Sequence, residues 1–269
     1  MIAGQGRLTT RLVGCVLALA LLVVCASGAF ATERERVKKK DKRPSRETFE
    51  LEAKRLGLVS KTITLDGAER RYLVYVPKDY DGSSPAPLIL FLHGRGEGGD
   101  DGIEQAKVGI YPAVQAHHGR FPCIIAMPQN AKGVWWHRSF DLIDGVVDAV
   151  RKDYNVDASR VYCTGVSLGG FGVWNYAAYR PDLFAALISC SSGGKAEEAA
   201  KVAKIPAWIF HNTGDKIVSI TMGKGLVETL RAAGGAPRFT EFEDKEHDAW
   251  TRAFGDADVI SWLFSQHKP

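Results

Sequence analysis

The residues Gly165-Val166-Ser167-Leu168-Gly169 place a serine between two glycines at a spacing that suits nucleophilic chemistry. The pattern is short, but its setting is specific. An apolar run beginning at Val161 precedes it directly, and a helix-like stretch with small residues follows. A strand, a sharp turn and a helix in this order present a serine hydroxyl above the edge of a sheet. The glycines are expected because side chains at 165 and 169 would collide with the neighbouring strand and helix.

A serine hydroxyl is a weak nucleophile and needs a histidine base that a carboxylate holds in place. In proteins with this turn, the order along the chain is serine, acid, histidine. Three histidines follow Ser167, namely His211, His247 and His267. His267 lies in the tail and His211 lies too close to a strand end, so His247 is the predicted base.

The predicted acid is Asp215, which lies in the loop after the strand-like run AWIF at 207–210. This loop lets a carboxylate reach the carboxyl edge of the sheet. Asp244 and Asp248 are the competitors, and both are interpreted as surface charges on the loop of His247.

Two backbone amides are predicted to stabilise the oxyanion of the reaction. The apolar run 88–92 ends in His93-Gly94-Arg95-Gly96, and the loop after this strand supplies one amide in proteins of this layout, while the residue after the nucleophile supplies the other. We assign these donors to Arg95 and Leu168. His93 is interpreted as a structural residue that orders the loop, because it ends a buried strand and precedes the nucleophile.

Short apolar runs alternate with helix-like stretches after Gly57, which predicts an α/β fold with a mostly parallel central sheet of about eight strands. Asp66-Gly67 predicts a hairpin between the first two strands. The predicted strands are Lys61–Leu65, Tyr72–Val76, Leu88–Leu92, Cys123–Met127, Val161–Thr164, Ala185–Cys190, Ala207–Phe210 and Phe239–Phe242, and the predicted helices are Leu142–Asp153, Gly170–Tyr179 and Met222–Ala233.

The chain is divided into a signal peptide (1–31), a charged linker (32–56) and one catalytic domain (57–269). Arg7 and Arg11 precede an apolar run, and Ala29-Phe30-Ala31 fits a cleavage site, so we predict a secreted or periplasmic protein with no integral span after cleavage. An uncleaved anchor is the alternative. Residues 32–55 carry ten basic and six acidic side chains, and are interpreted as a solvated linker or as a tether to an anionic surface.

The remaining chain is close to neutral, which excludes the basic surface that a nucleic-acid partner requires. Three cysteines follow the signal, Cys123, Cys163 and Cys190, each in or beside an apolar run. We expect buried free thiols, and no C-x-x-C spacing supports a thiolate metal site. Neither a metal nor an organic cofactor is expected.

Six segments together resemble the α/β-hydrolase superfamily from about residue 60 to 265. They are LFLHGRGEGGDD, the MPQN…WW stretch, DASRVYCTGVSLGGFGVW, RPDLFAALISCSSGG, FHNTGDKIV and EHDAW. More narrowly, the chain resembles the secreted esterases grouped with polyhydroxybutyrate depolymerases, feruloyl esterases and acetylxylan esterases, and the bacterial "predicted peptidase" proteins. The chain departs from the pattern in having Leu168 where methionine is frequent and Asn212 where glycine is frequent.

The resemblance implies a serine carboxylic ester hydrolase acting on short-acyl, acetyl or feruloyl esters, either small or linked to a polysaccharide. The alternatives are a serine peptidase of the same fold, an acyltransferase and a non-catalytic binding module. The segment 191–206 is too short for a lid domain, so we expect an open cleft. Of Trp135 and Trp136, we assign Trp136 to substrate binding, with packing as the alternative; Trp250 either walls the site or anchors the histidine loop.

Overall fold

The computed structural model of this chain describes residues 54–268. The predicted signal peptide and nearly all of the charged linker lie outside the described residues. Eight strands form one sheet, and each overlaps a strand predicted from the sequence. The strands are Leu58–Leu65 (β1), Ala68–Tyr75 (β2), Ala86–Leu92 (β3), Ile124–Pro128 (β4), Val156–Val166 (β5), Ala186–Cys190 (β6), Ala207–Asn212 (β7) and Arg238–Phe242 (β8).

The sheet has the order β1-β2-β4-β3-β5-β6-β7-β8. β2 pairs antiparallel with β1 and with β4, and all other neighbours are parallel. β4 and β6 are buried along their whole length, because helices cover both faces of a parallel sheet. This is the predicted α/β-hydrolase architecture, an open and mostly parallel sheet.

The hairpin between β1 and β2 turns at Asp66-Gly67, as the sequence predicted. Leu65 pairs with Ala68, so the turn has two residues. Both have positive φ, 48° at Asp66 and 76° at Gly67, which a tight hairpin turn of the right twist requires.

The helices around the sheet include four that the sequence analysis did not identify. Each of these four has at most eight residues, about two turns, which is too short for a helical period to stand out in the sequence. The described helices are Ile110–His117 (α1), Phe140–Asp153 (α2), Leu168–Tyr179 (α3), Ala196–Lys201 (α4), Ile220–Ala232 (α5), Ala249–Gly255 (α6) and Ala257–Phe264 (α7).

The carboxyl ends of the parallel strands lie at one edge of the sheet, where loops meet that are far apart in sequence. The segment between β6 and β7 contains only the short helix α4, so within residues 54–268 no lid domain is inserted there. Within residues 54–268, Cys123, Cys163 and Cys190 are buried free thiols, as expected. In the part of the chain that the structure describes, no helix has the length and hydropathy needed to span a bilayer.

Candidate active site

Ser167 occupies a strained turn between β5 and α3. Its φ is 52° and its ψ is −119°, a conformation that non-glycine residues rarely adopt. The turn is tied to the next strand, because the Ser167 amide donates to the Cys190 carbonyl at 2.9 Å. A Cβ at Gly165 would lie 2.3 Å from the Gly169 carbonyl oxygen, and one at Gly169 would lie 1.9 Å from that of Leu92. The two glycines therefore have the steric reason that the sequence analysis gave them.

The three side chains predicted to act together are in contact at the edge of the sheet. His247 Nε2 lies 2.8 Å from Ser167 Oγ, and His247 Nδ1 lies 2.6 Å from Asp215 Oδ2. Ser167 comes from the turn after β5, Asp215 from the loop after β7 and His247 from the loop after β8. The imidazole also contacts the Trp250 ring edge-on, with the ring centroids 5.3 Å apart. The histidine is thereby held on three sides.

Both oxygens of the buried Asp215 carboxylate have hydrogen-bond partners. Oδ1 accepts hydrogen bonds from the amides of Ile217 at 2.9 Å and Val218 at 3.0 Å, which leaves Oδ2 to face His247. A second histidine, His211, lies 3.6 Å from Oδ2, but its Nε2–H donates to the Val218 carbonyl at 2.9 Å. Burial lowers the pKa of His211, so it remains neutral near pH 7. Asp215 therefore has a single cationic partner when His247 is protonated.

The loop after β3 passes close to Ser167 at Gly94. A Cβ built on Gly94 would lie 3.5 Å from Ser167 Cβ, and Arg95 begins a 3-10 turn at the next residue. Leu168 is the first residue of α3, so its amide has no partner within the helix and lies at the positive end of the helix dipole. Arg95 thus follows the glycine that lies near the serine, and Leu168 follows the serine itself; their role as oxyanion donors stays a prediction.

His93 has both ring nitrogens occupied by backbone groups. The Asn130 amide donates to Nε2 at 2.9 Å, so the ring carries its proton on Nδ1, which donates to the Gly94 carbonyl at 2.6 Å. Burial lowers the pKa of His93 to about 4, because the charged form would lose its hydration. His93 therefore braces the loop before Arg95, in agreement with its interpretation as a structural residue.

This buried histidine predicts a pH dependence of the folding stability. Between pH 6.5 and about 4, an unfolded chain binds a proton at His93 that the folded chain excludes. Above pH 6.5, His93 is neutral in both states and does not lower the free energy of unfolding. As the pH falls below 6.5, the free energy of unfolding decreases by up to about 1.4 kcal/mol per pH unit. Urea unfolding at several pH values in this window measures it. In His93→Gln, whose amide is neutral throughout, the decrease should be smaller; equal slopes in both proteins would contradict this prediction.

The stretch after β4 holds the same loop from the other side. Gln129 is 4% exposed, and its amide group donates to the Glu97 carbonyl at 3.0 Å and accepts from the Gly102 amide at 2.7 Å. The Asn130 carbonyl accepts from the Gly99 amide at 2.9 Å. Residues 95–102, whose regular structure is limited to the short 3-10 turn at Arg95, are therefore fixed at several points.

The structure does not support the assignment of Trp136 to substrate binding. Trp136 is 1% exposed, its Nε1–H donates to the His93 carbonyl at 3.0 Å, and its ring packs against Gly172 of α3. Such a ring has no face left for a substrate. The neighbouring Trp135 is 48% exposed and lies edge-on to Phe171, with the ring centroids 6.0 Å apart.

Sequence reasoning did not single out three residues that the structure places beside the predicted triad. Phe171 follows Ser167 by one helical turn, and its amide donates to the Ser167 carbonyl at 3.2 Å. The four-residue spacing from Ser167 in a predicted helix was the signal that could have identified it. Asn212 contacts the loop of His247 and was noted only as a departure from a pattern. Ile217 follows Asp215 and is 74% exposed.

Comparison with known proteins places the chain in a family of esterases. The family model named Esterase matches residues 64–250. The acetylxylan esterase/xylanase XynS20E of Neocallimastix patriciarum is 26% identical over 61% of this chain, which spans 24% of that bifunctional protein. "Probable feruloyl esterase C" of Aspergillus niger is 25% identical, over 72% of this chain and 74% of that protein.

Solved structures share the fold. A protein described as a thermostable esterase is 30% identical and superimposes with a TM-score of 0.70, over 79% of this chain and 64% of its own. The feruloyl esterase module from Clostridium thermocellum superimposes with a TM-score of 0.65, over 78% of this chain and 88% of its own, at 16% identity. From the match over residues 64–250, the chain belongs to the Esterase family, and its fold is that of the α/β-hydrolases.

Proposed function

We propose that this protein is a serine hydrolase that cleaves carboxylic esters through a Ser167–His247–Asp215 triad. The observation that carries the proposal is the continuous chain of two hydrogen-bond distances, 2.8 Å and 2.6 Å, from the serine hydroxyl through the imidazole to the buried carboxylate. The family and the names of the relatives support ester hydrolysis as the reaction.

The reaction begins with His247 in the tautomer that the carboxylate selects. Because Asp215 Oδ2 only accepts, the imidazole proton resides on Nδ1, and Nε2 is free to take the proton of Ser167 Oγ. The Ser167 oxygen attacks the carbonyl carbon of the ester as this proton leaves. The imidazolium then donates the proton to the departing alcohol, and an acyl-enzyme remains. Water, activated by the same nitrogen, attacks the acyl carbon and releases the acid.

The amides of Arg95 and Leu168 are proposed to bind the oxygen that becomes negative in each tetrahedral intermediate. Backbone donors suit this task because the surrounding hydrogen bonds fix them before the reaction begins. Loss of one such donor typically costs about 2.7–4 kcal/mol of transition-state stabilisation. The hydrogen bonds of His93 and Gln129 to the loop around Arg95 supply this rigidity.

We propose substrates with a bulky acyl group, such as feruloyl esters, free or linked to a polysaccharide. The exposed Trp135 ring lies against Phe171, one helical turn from Ser167, and the exposed Ile217 follows Asp215 by two residues. Exposed apolar groups of this size near a reactive serine can bind a planar aromatic acid. The name of one relative, feruloyl esterase C, agrees with this class.

The test of the proposed function is a set of initial rates on p-nitrophenyl esters from acetyl to dodecanoyl, on methyl ferulate and on acetylated xylan. Labelling of Ser167 by a fluorophosphonate is followed in parallel. Turnover together with labelling supports the proposal. Labelling without turnover of any ester would show a reactive serine with a different substrate class, and the absence of both would refute the proposal.

Trp135→Ala should impair aromatic acyl esters selectively. Loss of an aromatic contact of about 0.5–1.5 kcal/mol should raise KM for methyl ferulate by about 2- to 13-fold, while KM for methyl butyrate, which has the same alcohol, should not change. Tyr179→Ala is the matched control, because Tyr179 is 50% exposed at the far end of the same helix. If the KM values of both esters changed by the same factor, Trp135 would have no part in acyl recognition.

The enzyme is proposed to act outside the cytoplasm. The predicted signal peptide at 1–31 supports export, and the predicted linker at 32–56 would then precede the catalytic domain at 57–269. The N-terminal sequence of the protein recovered from the periplasm or the medium should begin at Thr32. Recovery of the chain with Met1 in place would contradict cleavage.

A further inference from the structure

Asn212 lies at a position from which one side chain can contact both neighbours of His247. It is the last residue of β7, it is 1% exposed, and it pairs with Phe242 at the end of β8. Its side-chain amide nitrogen lies 2.8 Å from the Glu246 carbonyl oxygen and 3.1 Å from Asp248 Oδ1. The two hydrogens of one amide group are therefore directed at the residues on either side of the proposed base.

The orientation of this amide is fixed by its surroundings. Both groups that face the nitrogen, the carbonyl of Glu246 and the carboxylate of Asp248, only accept hydrogen bonds. The rotated amide would place its own oxygen against these two acceptors. In the orientation present, Asn212 Oδ1 is buried and has no hydrogen-bond partner among residues 54–268. The unpaired oxygen reduces what this amide adds to the free energy of unfolding. Both hydrogen bonds that the amide does make go to the loop of His247.

The loop of His247 needs such a contact because β8 is the edge strand of the sheet. On the sheet, the loop therefore has a neighbouring strand on the β7 side alone. Its first part is anchored where the Gly214 amide donates to the Asp244 carbonyl at 2.8 Å. Asn212 holds the second part, and the Asp215 amide donates to the Asn212 carbonyl at 3.3 Å. One residue therefore connects the segments that carry the acid and the base.

We propose that Asn212 is a positioning residue that keeps the imidazole of His247 aligned with Ser167 and Asp215 at the same time. The inference rests on the proposed function, since it assigns Asn212 a role only through the triad. Displacement of a catalytic group by about 1 Å reduces the rate of the chemical step about 100-fold. Binding of the substrate depends on other groups, so the effect should appear in kcat and not in KM.

The first test compares Asn212→Gly with the full wild-type chain. We expect kcat to fall about 10- to 100-fold, with KM for p-nitrophenyl butyrate unchanged and Ser167 labelled more slowly by a fluorophosphonate. Thr240→Val is the matched control. It removes another side-chain hydrogen bond between β7 and β8, that of Trp208 Nε1 to Thr240 Oγ1 at 2.9 Å, and should leave kcat unchanged. A kcat for Asn212→Gly within about 2-fold of wild type, or an equal loss in Thr240→Val, would overturn the inference.

The second test uses a charge exchange and does not depend on the glycine variant being folded. Asn212→Asp places a carboxylate against the Glu246 carbonyl and the Asp248 carboxylate, so kcat should fall. Adding Asp248→Asn restores a donor to this contact, and kcat should recover about 5-fold or more from the single variant. No recovery would overturn the inference.

A wild-type chain that neither turns over esters nor is labelled by a fluorophosphonate would refute the proposed function itself. An active wild type with unaffected variants would refute only the role of Asn212.

Discussion

Ser167→Ala should reduce kcat/KM for ester hydrolysis by about 10⁴- to 10⁶-fold. The substitution removes the oxygen that is proposed to bond to the acyl carbon, whereas the proposed oxyanion donors remain. The His247–Asp215 pair, 2.6 Å apart, does not depend on the serine oxygen and should persist. Initial rates on p-nitrophenyl butyrate and labelling by a fluorophosphonate measure the effect.

Ser191→Ala is the matched control for this experiment. Ser191 is a second buried serine with positive φ, 50°, at the end of a neighbouring strand, and its hydroxyl has no hydrogen-bond partner within residues 54–268. We expect its kcat/KM to remain within about 3-fold of wild type, since no contact joins it to the reacting atoms. Both variants should keep the wild-type unfolding midpoint. Turnover by Ser167→Ala at a tenth of the wild-type rate would exclude Ser167 as the nucleophile.

The sequence was sufficient to predict the sheet and the three residues that meet at its edge. Each predicted strand overlaps an observed one, because buried parallel strands are short, apolar and bounded by loops. The turn at Ser167 was predictable for a steric reason, since Gly165 and Gly169 are required by backbone atoms 2.3 Å and 1.9 Å from any added Cβ. The strands and the turn depend on local backbone geometry, which can be predicted from the residue types of a short segment.

The choice between Trp135 and Trp136 shows where local reasoning stops. Two adjacent tryptophans in a loop give no period that would tell which ring is buried. The answer depends on Gly172, 36 residues after Trp136 in the sequence, because its missing side chain provides the space for the Trp136 ring. The same limit applies to Asn212, whose partners Glu246 and Asp248 come from a different strand's loop. Contacts between distant segments require the folded structure.

Asp215→Asn should reduce kcat by about 10⁴-fold while the protein remains folded. An asparagine at this position can still accept the Ile217 and Val218 amides with its oxygen, at the place where Oδ1 lies 2.9 Å and 3.0 Å from them. Its nitrogen then faces His247 Nδ1 as a donor. The imidazole must respond with the opposite tautomer, whose proton is on Nε2, and this nitrogen can no longer accept the proton of Ser167 Oγ.

Asp244→Asn separates this effect from a general loss of charge near the histidine. Asp244 lies on the loop of His247, where its carboxylate accepts from the amides of Lys245 and Glu246 and pairs with Arg252, without contacting the imidazole. Its kcat should remain within about 3-fold of wild type, because the tautomer of His247 is set by Asp215 alone. If kcat fell by the same factor in Asp215→Asn and Asp244→Asn, the rate would depend on the negative charge of the loop. The specific hydrogen bond between His247 and Asp215 would then not control the rate.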